Sequence, residues 1–172
     1  RPIGAQRLTP GKQDTVDFGY QQVPHADKAQ RVRAVFDSVA SRYDLMNDLM
    51  SGGAHRLWKK FALSLTGLKV GGRVLDVAGG TGDLSAGLAQ QVGQSGLVVL
   101  TDINAAMLNA GRDRLIDAGL VGNVLYAQAD AERLPFPDAS FDCVTIGFGL
   151  RNVTDKARAL AAMRRVLKTG GQ

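Results

Sequence analysis

Cysteine is almost absent from this chain: Cys143 is the only one among 172 residues. An internal disulfide is therefore excluded, and no Cys-x-x-Cys pair or Cys/His cluster exists. His25 and His55 are the only imidazoles, too few for a zinc site, so no metal is expected. Long hydrophobic runs are also missing; none could cross a bilayer as a helix, and no basic-then-apolar signal segment opens the chain. A reducing, cytoplasmic setting is the expectation. Internal repeats and low-complexity tracts are lacking too, which excludes solenoids and tail-like segments.

What remains is ordinary in bulk. Hydrophobic residues make up 45% and charged residues 22%, as in a soluble globular domain with a full core. The net charge is +5, and Arg31, Arg33, Arg42, Arg56, Lys59 and Lys60 gather in the first third. That excess suits nucleic acid or an anionic membrane, but a mixed solvated surface explains it as well and is the expectation here. The chain begins without Met and stops in the turn Lys168-Thr169-Gly170-Gly171-Gln172, as expected for a truncated or incompletely ordered product of a longer gene.

Residues 1–16 show no periodicity and read as a loose arm; residues 17–172 read as one domain. From Asp27, apolar residues at Val32, Val35, Phe36, Val39, Tyr43 and Met46 keep helical spacing. Ser51-Gly52-Gly53 breaks that pattern, and a second helix is expected over about 54–65, with Leu57, Trp58, Phe61 and Leu65 on one side. Together, 27–65 are expected to form a helical lid over a cofactor held by the core at 73–172, and Met46, Leu49 and Met50 are candidates to guide an apolar tail, with helix-core packing as their plainer use. Strands are then expected at 73–77, 98–101, 124–128 and 143–147, alternating with helices at about 84–92, 105–118 and 156–167. Apolar strands alternating with helices predict an α/β fold: a doubly wound parallel sheet covered on both faces.

The chemistry concentrates in Val74-Leu75-Asp76-Val77-Ala78-Gly79-Gly80-Thr81-Gly82-Asp83-Leu84. An apolar strand runs into a glycine-dense turn and then a helix, which lets a ligand approach the backbone and meet free N–H groups. Twenty residues past Gly82, the run Leu97–Thr101 ends in Asp102, placed to bind both hydroxyls of a ribose. Ser85 occupies the third glycine place of a dinucleotide fingerprint, which weakens a nicotinamide reading. Asp76 argues the same way, since a carboxylate beside the glycines repels a pyrophosphate but suits a cofactor with an ammonium and no phosphate. Helix or loop capping is the plainer use of Asp76 and Asp83, better suited to Asp83. Asp130, after the third strand, can accept from an adenine amino group or simply cap the next turn. The proline-stiffened segment 134–142 sets Phe141 and Asp142 at the start of the fourth strand, so all four strands end on one edge. Asp76, Gly80, Gly82, Asp102 and Asp130 together point to a class I S-adenosylmethionine-dependent methyltransferase with a Rossmann-like sheet.

Three stretches narrow this further: Val35-Phe36-Asp37-Ser38-Val39-Ala40-Ser41-Arg42-Tyr43-Asp44-Leu45-Met46-Asn47-Asp48-Leu49-Met50-Ser51, continuing to His55-Arg56-Leu57-Trp58-Lys59; Asp76–Asp83; and Phe148-Gly149-Leu150-Arg151-Asn152-Val153. On these the chain resembles the ubiquinone/menaquinone biosynthesis C-methyltransferases, the UbiE family, over about residues 15–172. The resemblance implies methyl transfer from S-adenosyl-L-methionine to a ring carbon of a polyprenylated benzoquinol or of demethylmenaquinol, with S-adenosyl-L-homocysteine as product. It assigns cofactor contacts to Thr81, Asp102, Asp130 and Ala131; Ile103 and Gly147 join the candidates, although the family usually carries Ser where this chain has Gly147. Thr169 likewise replaces the usual proline of a Lys-Pro-Gly-Gly turn. The family continues past residue 172 with further strands, and without them the outer edge of the fourth strand would be unpaired.

Carbon methylation needs an electron-rich quinol, best used as its phenolate. Arg151 and Asn152 are the first candidates to stabilise and orient that oxygen, with a structural salt bridge as the alternative for Arg151. Tyr43 and His55 rank next, each with a packing or capping alternative. Phe148 and Trp58 are candidates to face the sulfonium or the ring, with core packing the expected use. Expected partners are the prenylated quinol and, beyond it, a quinone-biosynthesis complex, the inner-membrane surface or a second copy of the chain; nucleic acid is not expected. The alternatives are another class I methyltransferase acting on RNA or a small molecule, a nicotinamide-dependent dehydrogenase, and a non-catalytic cofactor-binding form. No Asn-Pro-Pro-Tyr tract supports the first, and Cys143 inside a strand is badly placed to attack a pyrimidine.

Overall fold

A computed structural model describes residues 15–18, 21–24 and 54–172, with side-chain detail from Leu57 onward. The elements are β1 (Thr15–Phe18), β2 (Gln21–Pro24), α1 (Ala54–Leu65), β3 (Arg73–Val77), α2 (Asp83–Val92), β4 (Leu97–Asp102), α3 (Ala105–Asp117), β5 (Val124–Gln128), β6 (Cys143–Ile146), a 3₁₀ turn (Gly149–Asn152) and α4 (Lys156–Val166). β1 and β2 form an antiparallel hairpin that the composition of the expected arm does not announce. The expected helix from Asp27, including Tyr43, Met46, Leu49 and Met50, lies outside the described residues, as does the side chain of His55.

The main sheet is parallel, in the order β5-β4-β3-β6. The chain steps outward from β3 through β4 to β5, then returns across the sheet to lay β6 on the other side of β3. Helices follow that reversal. Leu88, Ala89 and Val92 of α2 and Leu108 and Leu115 of α3 pack with Val74, Val98 and Leu100 on one face. Ala159, Met163 and Val166 of α4 pack with Leu75, Val77 and Val99 on the other. Alternate residues of each strand thus enter opposite cores, and so both central strands are apolar almost without interruption.

The reversal makes a crevice at the C-terminal ends of β3 and β6, where sheets of this kind bind ligands. Among the described residues, two of the three non-glycine residues with positive φ sit there: Ala78 (φ 52°), just past β3, and Phe148 (φ 61°), just past β6. Backbone strain of this sort gathers at functional sites.

The outer edge of β6 departs from expectation. Lys168 N–H donates to Phe141 O (2.9 Å), Gln172 N–H to Asp142 O (3.1 Å) and Val144 N–H to Gln172 O (2.8 Å). The turn at 168–171 brings the backbone back alongside β6, so the start of that edge is paired within the chain.

Candidate functional site

The glycine turn is shaped by what surrounds it. A Cβ on Gly79 would lie 2.3 Å from Leu100 Cδ1 and 2.7 Å from Asp76 Oδ2, so no side chain fits. Gly79 N–H donates to Thr101 O (2.9 Å), locking the turn onto β4. Gly82 ends the turn in the left-handed region (φ 75°) and starts α2 with no side-chain cap of its own.

Asp76 supplies that cap from a distance. It is fully buried. Its carboxylate accepts from Ser85 Oγ (2.6 Å) and Thr145 Oγ1 (2.8 Å) and from the backbone N–H of Ser85, the third residue of α2. Burial pushes its pKa up to about 6; the hydroxyl bonds oppose that rise, and nearby Asp102 adds to it. Capping, which the sequence favoured for Asp83, falls to Asp76. Asp83 instead pairs with Lys59 of α1 and with Arg114 of α3, the latter at 3.2 Å. Both oxygens of Asp76 are engaged below the turn, so it braces the site from beneath.

Asp102 stands at the tip of β4. Its Oδ2 accepts from Gly80 N–H (3.0 Å) and its Oδ1 from Asn104 N–H (2.8 Å). Burial raises its pKa, and the Asn104 and Gly80 amides hold the rise in check. Each oxygen keeps a lone pair, so the group can accept two further donors side by side. Gln128 Nε2 donates to Ile103 O (2.9 Å), tying β5 to the same rim, where Ile103 is exposed. Asp130 is exposed and its Oδ1 accepts from Glu132 N–H (2.9 Å), so it does cap its own turn; Ala131 packs into the core of the α4 face.

Across the crevice, Gly147 is exposed at the end of β6, with Arg151 exposed and Asn152 half-buried on the following 3₁₀ turn. Among the described residues Arg151 forms no salt bridge, which leaves its guanidinium available. Phe148 and Trp58 are both exposed and not core residues as expected. Cys143 is buried in β6, and burial pushes its thiol up to about 11, so it is no nucleophile. Among the described residues no cluster of His, Cys, Asp and Glu could hold a metal, and no helix is long and apolar enough to cross a membrane. Sequence reasoning missed Thr145, and it took Ser85 only as a defect in a nicotinamide fingerprint. Its spacing after the glycines was the available signal.

The model of the ubiE/COQ5 methyltransferase family matches residues 25–172. The chain belongs to the ubiE/COQ5 methyltransferase family. A ubiquinone/menaquinone biosynthesis C-methyltransferase UbiE from Teredinibacter turnerae is 65% identical over 160 residues, covering 93% of this chain and 64% of that protein. The chain thus spans just under two thirds of the length of such curated relatives. Among solved structures, a SAM-dependent methyltransferase from Aquifex aeolicus superposes with TM-score 0.59 at 29% identity, covering 64% of this chain and 58% of that one. The [4+2]-cyclase SpnF superposes with TM-score 0.70 at 25% identity, over 83% of this chain and 57% of that one. The fold of this ubiE/COQ5 family member is therefore the doubly wound class I methyltransferase sheet, and the cyclase is a reminder that the sheet alone does not specify the reaction.

Proposed function

We propose that the protein carrying this chain transfers a methyl group from S-adenosyl-L-methionine to a ring carbon of a polyprenylated benzoquinol or of demethylmenaquinol, leaving S-adenosyl-L-homocysteine. The observation that carries the reading is Asp102, a partly buried carboxylate whose oxygens are aimed by Gly80 and Asn104 beside an uncluttered glycine turn. Membership in the ubiE/COQ5 family and the names of its relatives support the substrate class.

The residues present fit such a cofactor. The Gly80–Gly82 turn offers a close backbone approach, and Asp102 takes the ribose hydroxyls. Asp130 would accept from the cofactor's adenine amino group, and Thr81, Ile103, Ala131 and Gly147 are the further residues that would hold it. The cofactor supplies an activated methyl on a sulfonium, so the protein's task is mainly alignment, worth roughly 7–11 kcal/mol when geometry is good. Arg151 is too basic to remove a proton but stabilises a phenolate oxygen directly or through water, and Asn152 orients that oxygen. Tyr43 and His55 are secondary candidates for the same oxygen. Asp76 holds the turn and does not need to meet the cofactor's ammonium. Because the prenyl tail belongs in lipid, the protein works from the cytoplasmic side at the inner-membrane surface.

The test is incubation of the full-length protein with labelled methyl donor and a short-tail quinol. Wild type is expected to label the ring carbon, and Arg151→Ala to lose about 10²–10³-fold in kcat with cofactor affinity retained. Transfer to RNA but not to quinol would sink the proposal.

A further inference from the structure

The α1 helix carries a feature that the cofactor site does not use. Leu57, Trp58, Phe61 and Leu65 are 72%, 65%, 54% and 61% exposed, all on one face. The two rings touch edge to face with centroids 6.2 Å apart, forming a continuous apolar ridge. The orientation is set by the opposite face. Lys59 pairs with Asp83 at the start of α2. Leu63 seats over Gly87, where a Cβ would come within 2.3 Å of its Cδ1. Gln91 Nε2 donates to Leu63 O (3.0 Å), and Thr66 Oγ1 donates to Gln91 Oε1 (3.3 Å). These contacts pin the Lys59–Leu63 face to α2 and hold the apolar ridge outward.

The charge beside the ridge is of one sign. Residues 54–70 contain Arg56, Lys59, Lys60 and Lys69 and no Asp or Glu, in a chain whose whole net charge is +5. Lys60 on the flank of the ridge is exposed, as are Lys69 and Val70 just past the helix. An apolar stripe with an exposed tryptophan and basic flanks is the makeup of a helix lying in a lipid headgroup layer.

We propose that α1 docks this protein on an anionic phospholipid bilayer, with Leu57, Trp58, Phe61 and Leu65 entering the headgroup boundary and Lys60 and Lys69 meeting lipid phosphates. The purpose of this surface, delivery of a membrane-held substrate, rests on the quinol reading; the binding itself does not. α1 is anchored to the helix that leaves the glycine turn, so docking would bring the crevice to the bilayer.

Trp58 is the only tryptophan of the chain and so reports its own insertion. The full-length protein is titrated with vesicles of phosphatidylcholine containing phosphatidylglycerol, and separately with pure phosphatidylcholine, with Trp58→Phe as the blank that isolates the Trp58 signal. The expected result is a blue shift of Trp58 emission with the anionic vesicles, quenching by bromine-labelled acyl chains, and loss of the shift at high salt. The triple variant Leu57→Ser, Phe61→Ser, Leu65→Ser is expected to bind the anionic vesicles about tenfold or more weakly, with S-adenosyl-L-homocysteine affinity unchanged. Lys60→Glu should weaken vesicle binding without altering the ridge. The proposal is overturned if the anionic vesicles cause no shift or if neutral vesicles shift the emission equally. It is also overturned if the triple variant binds like wild type, or if the ridge is covered without lipid by residues 25–53 or by a second copy. Failure to bind S-adenosyl-L-homocysteine while vesicles still bind would instead remove the methyltransferase reading and leave this one standing.

Discussion

The three helices that flank the sheet begin in two different ways. α3 and α4 are capped locally: Asn104 Oδ1 accepts from Met107 N–H (3.0 Å), and Asp155 Oδ1 accepts from Arg158 N–H (3.0 Å). α2 begins at Gly82, with no cap from its own neighbourhood, and takes its brace from Asp76 on β3. A local cap fills the space in front of a helix with its own side chain. The α2 arrangement moves the carboxylate underneath, leaving the front of the helix open to a ligand. The cost is a buried charge, which two hydroxyls and an amide partly offset.

Substitutions can break this contrast, beginning with the largest effect. Gly79→Val forces side-chain atoms into Leu100 and Asp76. Its expected cost is about 3 kcal/mol in denaturant unfolding, with S-adenosyl-L-homocysteine binding lost in calorimetry. Asp76→Asn removes the buried charge and is read through pH. The folded pKa of Asp76 is raised from 3.8 to about 6. Its contribution to stability is therefore full below the unfolded value and is lost as pH rises to about 6. Wild type should weaken by roughly 3 kcal/mol relative to Asp76→Asn as pH rises from below 3.8 through about 6. Asp142 has the opposite sign: its bond to Lys168 holds its pKa down, so its contribution is lost as pH falls below the ordinary carboxylate range.

The capped helices should respond more mildly. Asn104→Ala is expected to cost about 1–2 kcal/mol and to loosen Asp102, whose Oδ1 accepts from the same residue's N–H. Asp155→Ala should cost about 1 kcal/mol in a thermal melt and lower cofactor affinity far less than Gly79→Val, because the Gly80–Asp102 contact stays in place. Gly147→Ser is the smallest change. Its Cβ would meet nothing closer than Leu84 Cδ2 at 3.7 Å, and the added hydroxyl should strengthen S-adenosyl-L-homocysteine binding about two- to tenfold. If Asp155→Ala abolished cofactor binding as thoroughly as Gly79→Val, the distinction between open and capped helix starts would fail.

The roles of the two acids flanking the glycine turn show where sequence reasoning stops. Asp83 stands at the start of α2 and Asp76 seven residues earlier, so proximity along the chain assigns the cap to Asp83. The turn reverses that order in space, carrying Ser85 back over the end of β3 and aiming Asp83 outward at Lys59 and Arg114. The same limit applies to α1. Its apolar stripe was legible at helical spacing, but the side it would face was not, and Trp58 was expected in the core; the Asp83 pair and the Gly87 contact turn the stripe toward solvent. Thr145 gave no local signal, because it meets Asp76 only when β6 lies beside β3.

The amino-acid order alone determined the alternation of strands and helices, the glycine turn and the acid at the tip of the next strand. Those features depend on periodicity, on backbone freedom and on short spacings along the chain. Tertiary structure decided which carboxylate braces the turn, which apolar face stays exposed and where the edge of β6 is paired, since each depends on contacts between segments many residues apart.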